Sequence, residues 1–155
     1  MLRISWFEFI VRGIPEEFLF VLAVHAFSKT GINLKKYILS GTLFWIMAYL
    51  IRLLPIQYGI NTILSLIALI IIVNFINKID IVKSIRSGLI TLILEFIFEG
   101  INLIFIQFVF KIDLKIVMNN PIAKTLYGFP SIILFGIFVI AYYIRLSKQK
   151  ELVYN

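Results

Sequence analysis

The chain of 155 residues contains no cysteine. That excludes disulfides, thiolate nucleophiles and cysteine-ligated zinc. A single histidine excludes a multi-histidine metal centre within one chain. The eight glycines form no phosphate-cradling loop and no Gly-x-Ser-x-Gly elbow. Acidic residues are scarce: eight Asp and Glu stand against fifteen Lys and Arg, for a formal net charge of +7. A polar stretch long enough for a soluble domain is also missing. A nucleic-acid surface needs a basic patch on such a domain. No nucleic-acid partner, metal or cofactor is therefore expected.

Apolar residues are abundant. They make up 61% of the chain, with a mean hydropathy of +1.02, against about 45–50% in an average soluble domain. A small soluble domain cannot hide that much apolar surface, so lipid must act as its solvent and partner. A spanning helix needs about 20 mostly apolar residues. Segments 37–54, 58–77, 88–110 and 126–146 meet this, and a fifth, within 6–27, is interrupted by Gly13-Ile14-Pro15. Proline lacks the helical N–H and fits the first turn of a new helix, where Glu16 and Glu17 then face the positive dipole end. The pattern predicts an all-α transmembrane bundle of about five spans in one domain, residues 1–155, its first helix broken at Gly13-Ile14-Pro15. Glu8, Arg12, Glu16 and Glu17 interrupt the apolar run that a signal peptide needs, so the N-terminus reads as retained.

Basic residues set the expected orientation. Lys29, Lys35 and Lys36 lie in 28–36, Lys78, Lys83 and Arg86 in 78–87, and Arg145, Lys148 and Lys150 in the tail. Five spans put these on one side, read as cytoplasmic. Arg3, Arg52, Lys111, Lys115 and Lys124 fall on the other. The expected protein is thus multi-pass in the plasma membrane, N-terminus outside and C-terminus cytoplasmic. If residues 1–12 lie on the surface, four spans with both ends inside compete. The longest outer loop is 111–125, with a turn at Asn119-Asn120-Pro121, and Pro130 is placed in the first turn of the last helix.

Glu95, Glu99 and Asn102 are four and seven residues apart, on one helical face near mid-membrane. Ionisable groups at that depth face the bundle interior or a wet cavity. Such a pair either carries a proton or is balanced by a buried cation. The stripe is a candidate ligand or proton site. Its plainer reading is polar glue, satisfied by Arg12, Arg52 or a neighbouring chain. Arg12 with Glu8, Glu16 and Glu17 forms a second constellation on a broken helix, as in transporter sites; the plainer reading is a helix start whose charges reach the headgroups. His25, near the inner end of the first span, is read as an interfacial hydrogen-bonding residue, and Arg52 as snorkelling. Glu16-Glu17 departs from the Glu-Glu-x-x-x-Arg motif of intramembrane CAAX-processing proteases, because Val21 stands where the arginine would be.

Three runs carry a resemblance: Arg12-Gly13-Ile14-Pro15-Glu16-Glu17-Phe18-Leu19, Glu99-Gly100-Ile101-Asn102, and Tyr127-Gly128-Phe129-Pro130-Ser131. Together they resemble small Firmicute membrane proteins and the helical N-terminal sensor regions of AgrC-like histidine kinases. The resemblance implies a bacterial membrane sensor region. With no kinase before Asn155, a signalling role is expected to need a separate partner. The expectation is a non-catalytic, sensor-like or regulatory membrane component acting through a membrane partner or homo-oligomer. The alternative is a small proton- or cation-coupled transporter using Glu95 or Glu99.

Overall fold

A computed structural model describes residues 6–56, 58–109, 111 and 121–154. Six helices occur among them: α1 Trp6–Val11, α2 Gly13–Phe27, α3 Leu34–Leu53, α4 Tyr58–Phe75, α5 Ile81–Phe108 and α6 Pro121–Lys148. The chain is an all-α bundle. Three helices are long and apolar enough to cross a membrane: Leu34–Leu53, Ile81–Phe108 and Thr125–Lys148. Gly59–Phe75 is apolar but shorter.

The interruption in the first segment falls at Arg12, directly before Gly13. Arg12 keeps helical φ and ψ (−95°, −45°), and its carbonyl still accepts from the Glu16 N–H at 3.2 Å. The break is therefore slight. Pro15 sits in the first turn of α2, where its missing N–H has no intrahelical partner to lose.

α2 is the axis of the bundle. Helices α3 to α6 pack in chain order, and α2 lies against α3, α5 and α6. Its buried residues are spread around the helix rather than along one stripe, as a helix enclosed by protein requires. Val21 and Val24 pack with Phe44, Leu69, Val73 and Ile79 on one side. Ala23 and Ala26 pack with Phe135 and Val139 on the other. In lipid, close van der Waals contact drives such packing more than water exclusion does. Gly41 shows the closeness: a Cβ there would lie 2.7 Å from the Phe18 ring.

Three helices start earlier than the hydropathy windows suggest. α5 begins at Ile81 rather than 88, because the Asp80 carboxylate caps it, accepting from the Val82 and Lys83 N–H groups at 3.0 and 3.3 Å. Asn33 caps α3 in the same way through the Lys36 N–H. Lys35, Lys36 and Lys83 thus ride on first helical turns, and Arg86 on the second turn of α5, rather than in loops. α6 begins at Pro121, so Pro130 lies inside the helix and not in its first turn. Residues 121–125 of the expected outer loop are helical. The rest of that loop beyond Lys111, including Asn119 and Asn120, lies outside the described residues.

The helices end unusually. Lys29, Lys78, Lys111 and Lys150 have φ of 55°, 58°, 53° and 57°, and no described glycine has a positive φ. The left-handed residue after a helix is usually glycine. At Lys29 and Lys150 the bonding is that of a Schellman cap: Thr30 N–H to the His25 carbonyl, and Glu151 N–H to the Leu146 carbonyl. The chain after α6 then folds back on the α2–α3 turn. Val153 N–H donates to the Lys29 carbonyl at 2.9 Å, Gly31 N–H donates to the Val153 carbonyl at 2.8 Å, and Lys29 pairs with Glu151.

Candidate functional site

Arg12 and Glu16 from one charged constellation of the sequence meet Glu99 from the other, while the side chain of Glu8 lies outside the described residues. α2 begins at Gly13, and its first turns bring Arg12 and Glu16 onto one side by i, i+4 spacing. Arg12 Nε lies 3.3 Å from Glu16 Oε2, and Arg12 Nη2 lies 3.3 Å from Glu99 Oε1 on α5. The break precedes Gly13, so the step from 12 to 16 is helical and keeps Arg12 beside Glu16. Arg12 does not reach for headgroups. It lies across α6 at Gly128, where a Cβ would come within 2.8 Å of its Nη1.

Glu17 points to the other side of α2. Arg52 Nη2 donates to Glu17 Oε1 at 3.3 Å, so Arg52 turns inward instead of snorkelling. Glu17 is 2% exposed. Among the described residues, its Oε2 has no hydrogen-bond partner. A carboxylate buried this deeply is costly without its guanidinium.

Glu95 lies within the fields of Glu16, Glu99, Arg12 and Arg52. It lines a cavity of about 10 Å³ with Glu16, Phe98, Ser131 and Phe135, of the size that admits one water. Four carboxylates (Glu16, Glu17, Glu95 and Glu99) thus share two guanidiniums. Full ionisation would leave negative charge in excess, in a setting where unpaired charge is costly.

Asn102 has a structural task. Its Nδ2 donates to the Tyr127 carbonyl at 2.7 Å. The bond ties α5 to the turn of α6 that precedes Pro130, whose missing N–H leaves the Leu126 carbonyl without its helical partner. Ser131 Oγ bonds within the same turn by donating to the Gly128 carbonyl at 2.7 Å.

His25 stands apart from the cluster, at the far end of α2, and is buried rather than interfacial. Its Nδ1 bonds the Val21 carbonyl at 2.8 Å, so that nitrogen carries the proton. Nε2 is then the acceptor for Asn77 Nδ2 at 3.1 Å. This joins the C-terminal ends of α2 and α4.

The stripe Glu95, Glu99 and Asn102 and the group Arg12, Glu16 and Glu17 are therefore brought together, and His25 is not. Sequence reasoning missed Gly128 and Ser131 as parts of this cluster, and Arg52 as the partner of Glu17. The Gly128 to Ser131 run carried a family resemblance, but nothing in spacing tied it to Arg12. No protein-family model, curated protein or solved structure matches the chain.

Proposed function

We propose that this is a non-catalytic, multi-pass membrane component of about five spans, acting through a membrane partner or through self-association. One observation carries the reading. The Glu99 side chain is 39% exposed at the side of the bundle, on a helix whose apolar window has only 17% of its positions buried within the chain. Glu95, one turn away and at mid-helix, is half-buried. Hydrocarbon is a poor neighbour for a carboxylate at that depth, so a further helix over this part of α5 would remove the cost. Phe96, one turn from Glu99 on the same side, is 53% exposed.

The absence of cysteine gives a clean background for the test. A photo-reactive group attached to a single cysteine at Phe96 should form a discrete adduct in native membranes. The same group at Ile63 on α4 should not. Adducts to lipid alone at both positions would refute the reading.

A second reading is proton or small-cation transfer through Glu95. It is favoured by the one-water cavity that Glu95 shares with Glu16 and Ser131. Under it, Glu95→Gln in liposomes should abolish an ion flux that the Phe96 adduct leaves unexplained.

A further inference from the structure

We propose that the His25 end of the bundle is a binding surface for anionic phospholipid headgroups, with lysines at the helix C-caps as contact points. This is independent of the reading of the Glu95 and Glu99 face. The ends of α2, α4 and α6 are tied together there. His25 meets Asn77 at 3.1 Å, and Ile32 N–H donates to the Tyr143 hydroxyl at 3.0 Å. The capping lysines Lys29, Lys78 and Lys150 therefore share one end, and all three are exposed.

Two facts point to charge as the reason for these lysines. The left-handed conformation is strained for any side chain and free for glycine, yet each of these caps holds lysine. The charge is also one-sided. Nine of the fifteen basic residues lie at this end, whereas Arg12 and Arg52, towards the other end, are turned inward onto glutamates. The acids of the basic end are engaged locally: Asp80 caps α5, and Glu151 pairs with Lys29. Beside Lys78, an open groove of about 440 Å³ is lined by Asn74, Phe75, Ile79, Asp80 and Ile81. Its mixed polar and apolar lining suits the junction of a headgroup and its acyl chains. Tyr142 and Tyr143 place an aromatic level near the same end.

The shared chemistry is an anionic phosphate group, and the test separates lipid from free phosphate. The full chain in neutral detergent is unfolded thermally while phosphatidylglycerol, phosphatidylcholine or soluble glycerol 3-phosphate is titrated in. Phosphatidylglycerol alone should raise the unfolding temperature. The double variant Lys78→Gly, Lys150→Gly keeps the cap backbone and loses the charge. Its lipid-free unfolding temperature should be at least that of the wild type. Its phosphatidylglycerol midpoint should rise about 25-fold, from about fivefold per lysine near an anionic surface. Lys78→Arg, Lys150→Arg should keep the wild-type midpoint. An unchanged midpoint in the glycine variant overturns the proposal, whatever its lipid-free stability. So does an equal response to phosphatidylcholine. A matching response to glycerol 3-phosphate overturns the lipid assignment in favour of a soluble anion.

Discussion

Replacing Arg12 with Met probes the joint between α2, α5 and α6. The Arg12 side chain is 13% exposed and that of Glu16 is 11% exposed, so their pair is largely shielded from solvent. Removing one partner of a buried pair costs about 3–5 kcal/mol, because the other charge is left stranded. The Arg12–Glu99 contact adds about 0.6 kcal/mol, the average for a hydrogen bond between helices in a bilayer. Arg12→Met should therefore cost about 4 kcal/mol. For a domain of this size that lowers the unfolding temperature by about 8–16 °C. Glu99→Gln should cost about 0.6 kcal/mol, on that same scale.

The informative comparison is with the double variant Arg12→Met, Glu16→Leu. With both charges gone, Glu16 is no longer stranded and most of the loss from that pair should return, because replacing a whole buried pair is often neutral. Thermal unfolding in mild detergent, followed by tryptophan fluorescence, gives the double-mutant cycle. Trp45 is well placed to report, since its Nε1 donates to the Phe9 carbonyl at 3.2 Å near the cluster. A coupling of about 2 kcal/mol or more is expected from the single-variant cost. Additive losses, with coupling below about 0.5 kcal/mol, would refute the view that this pair organises the bundle.

Gly128→Ala should push the guanidinium off α6 and cost about 1–2 kcal/mol, and the same change in an Arg12→Ala background should cost nearly nothing. Asn102→Leu removes the tie between α5 and the Tyr127 carbonyl of α6 and should cost about 1–2 kcal/mol in the same unfolding assay. The tail that folds back on the α2–α3 turn should respond to alkali. The hydrogen bond and charge of Glu151 hold the Lys29 ammonium above its ordinary range, about 10.4. A raised folded pKa means the contribution is complete below the unfolded value and is lost as pH rises through the folded one. Carboxypeptidase trimming of the tail should accelerate above that point, and Glu151→Gln should remove the step.

The bundle was legible in the sequence because apolar runs of spanning length are a physical necessity in lipid. The helix starts were less so. Lys83 and Arg86 read as loop by charge, while the Asp80 cap that extends α5 back to Ile81 is a local hydrogen bond hydropathy does not weigh. The same-face placement of Glu95, Glu99 and Asn102 follows from helical spacing alone. The union of that stripe with Arg12 is a tertiary fact, set by α2 lying at the axis. A clue was present: α2 carries charge at Glu16 and Glu17 yet has no polar face, as fits a helix enclosed on all sides. The lysine caps left no trace in the sequence, because the expected mark of a left-handed cap is glycine.

The most direct measurement is single-cysteine labelling along α5 with a membrane-impermeant thiol reagent, in intact cells and in inverted vesicles. The expected result is labelling of a cysteine at Lys83 from one side only and at Lys111 from the other, with Ile93 and Ile97 protected from both. Labelling of Ile97 from either side, or of both ends from the same side, would contradict a membrane-crossing α5 that carries Glu95 and Glu99 into the bundle.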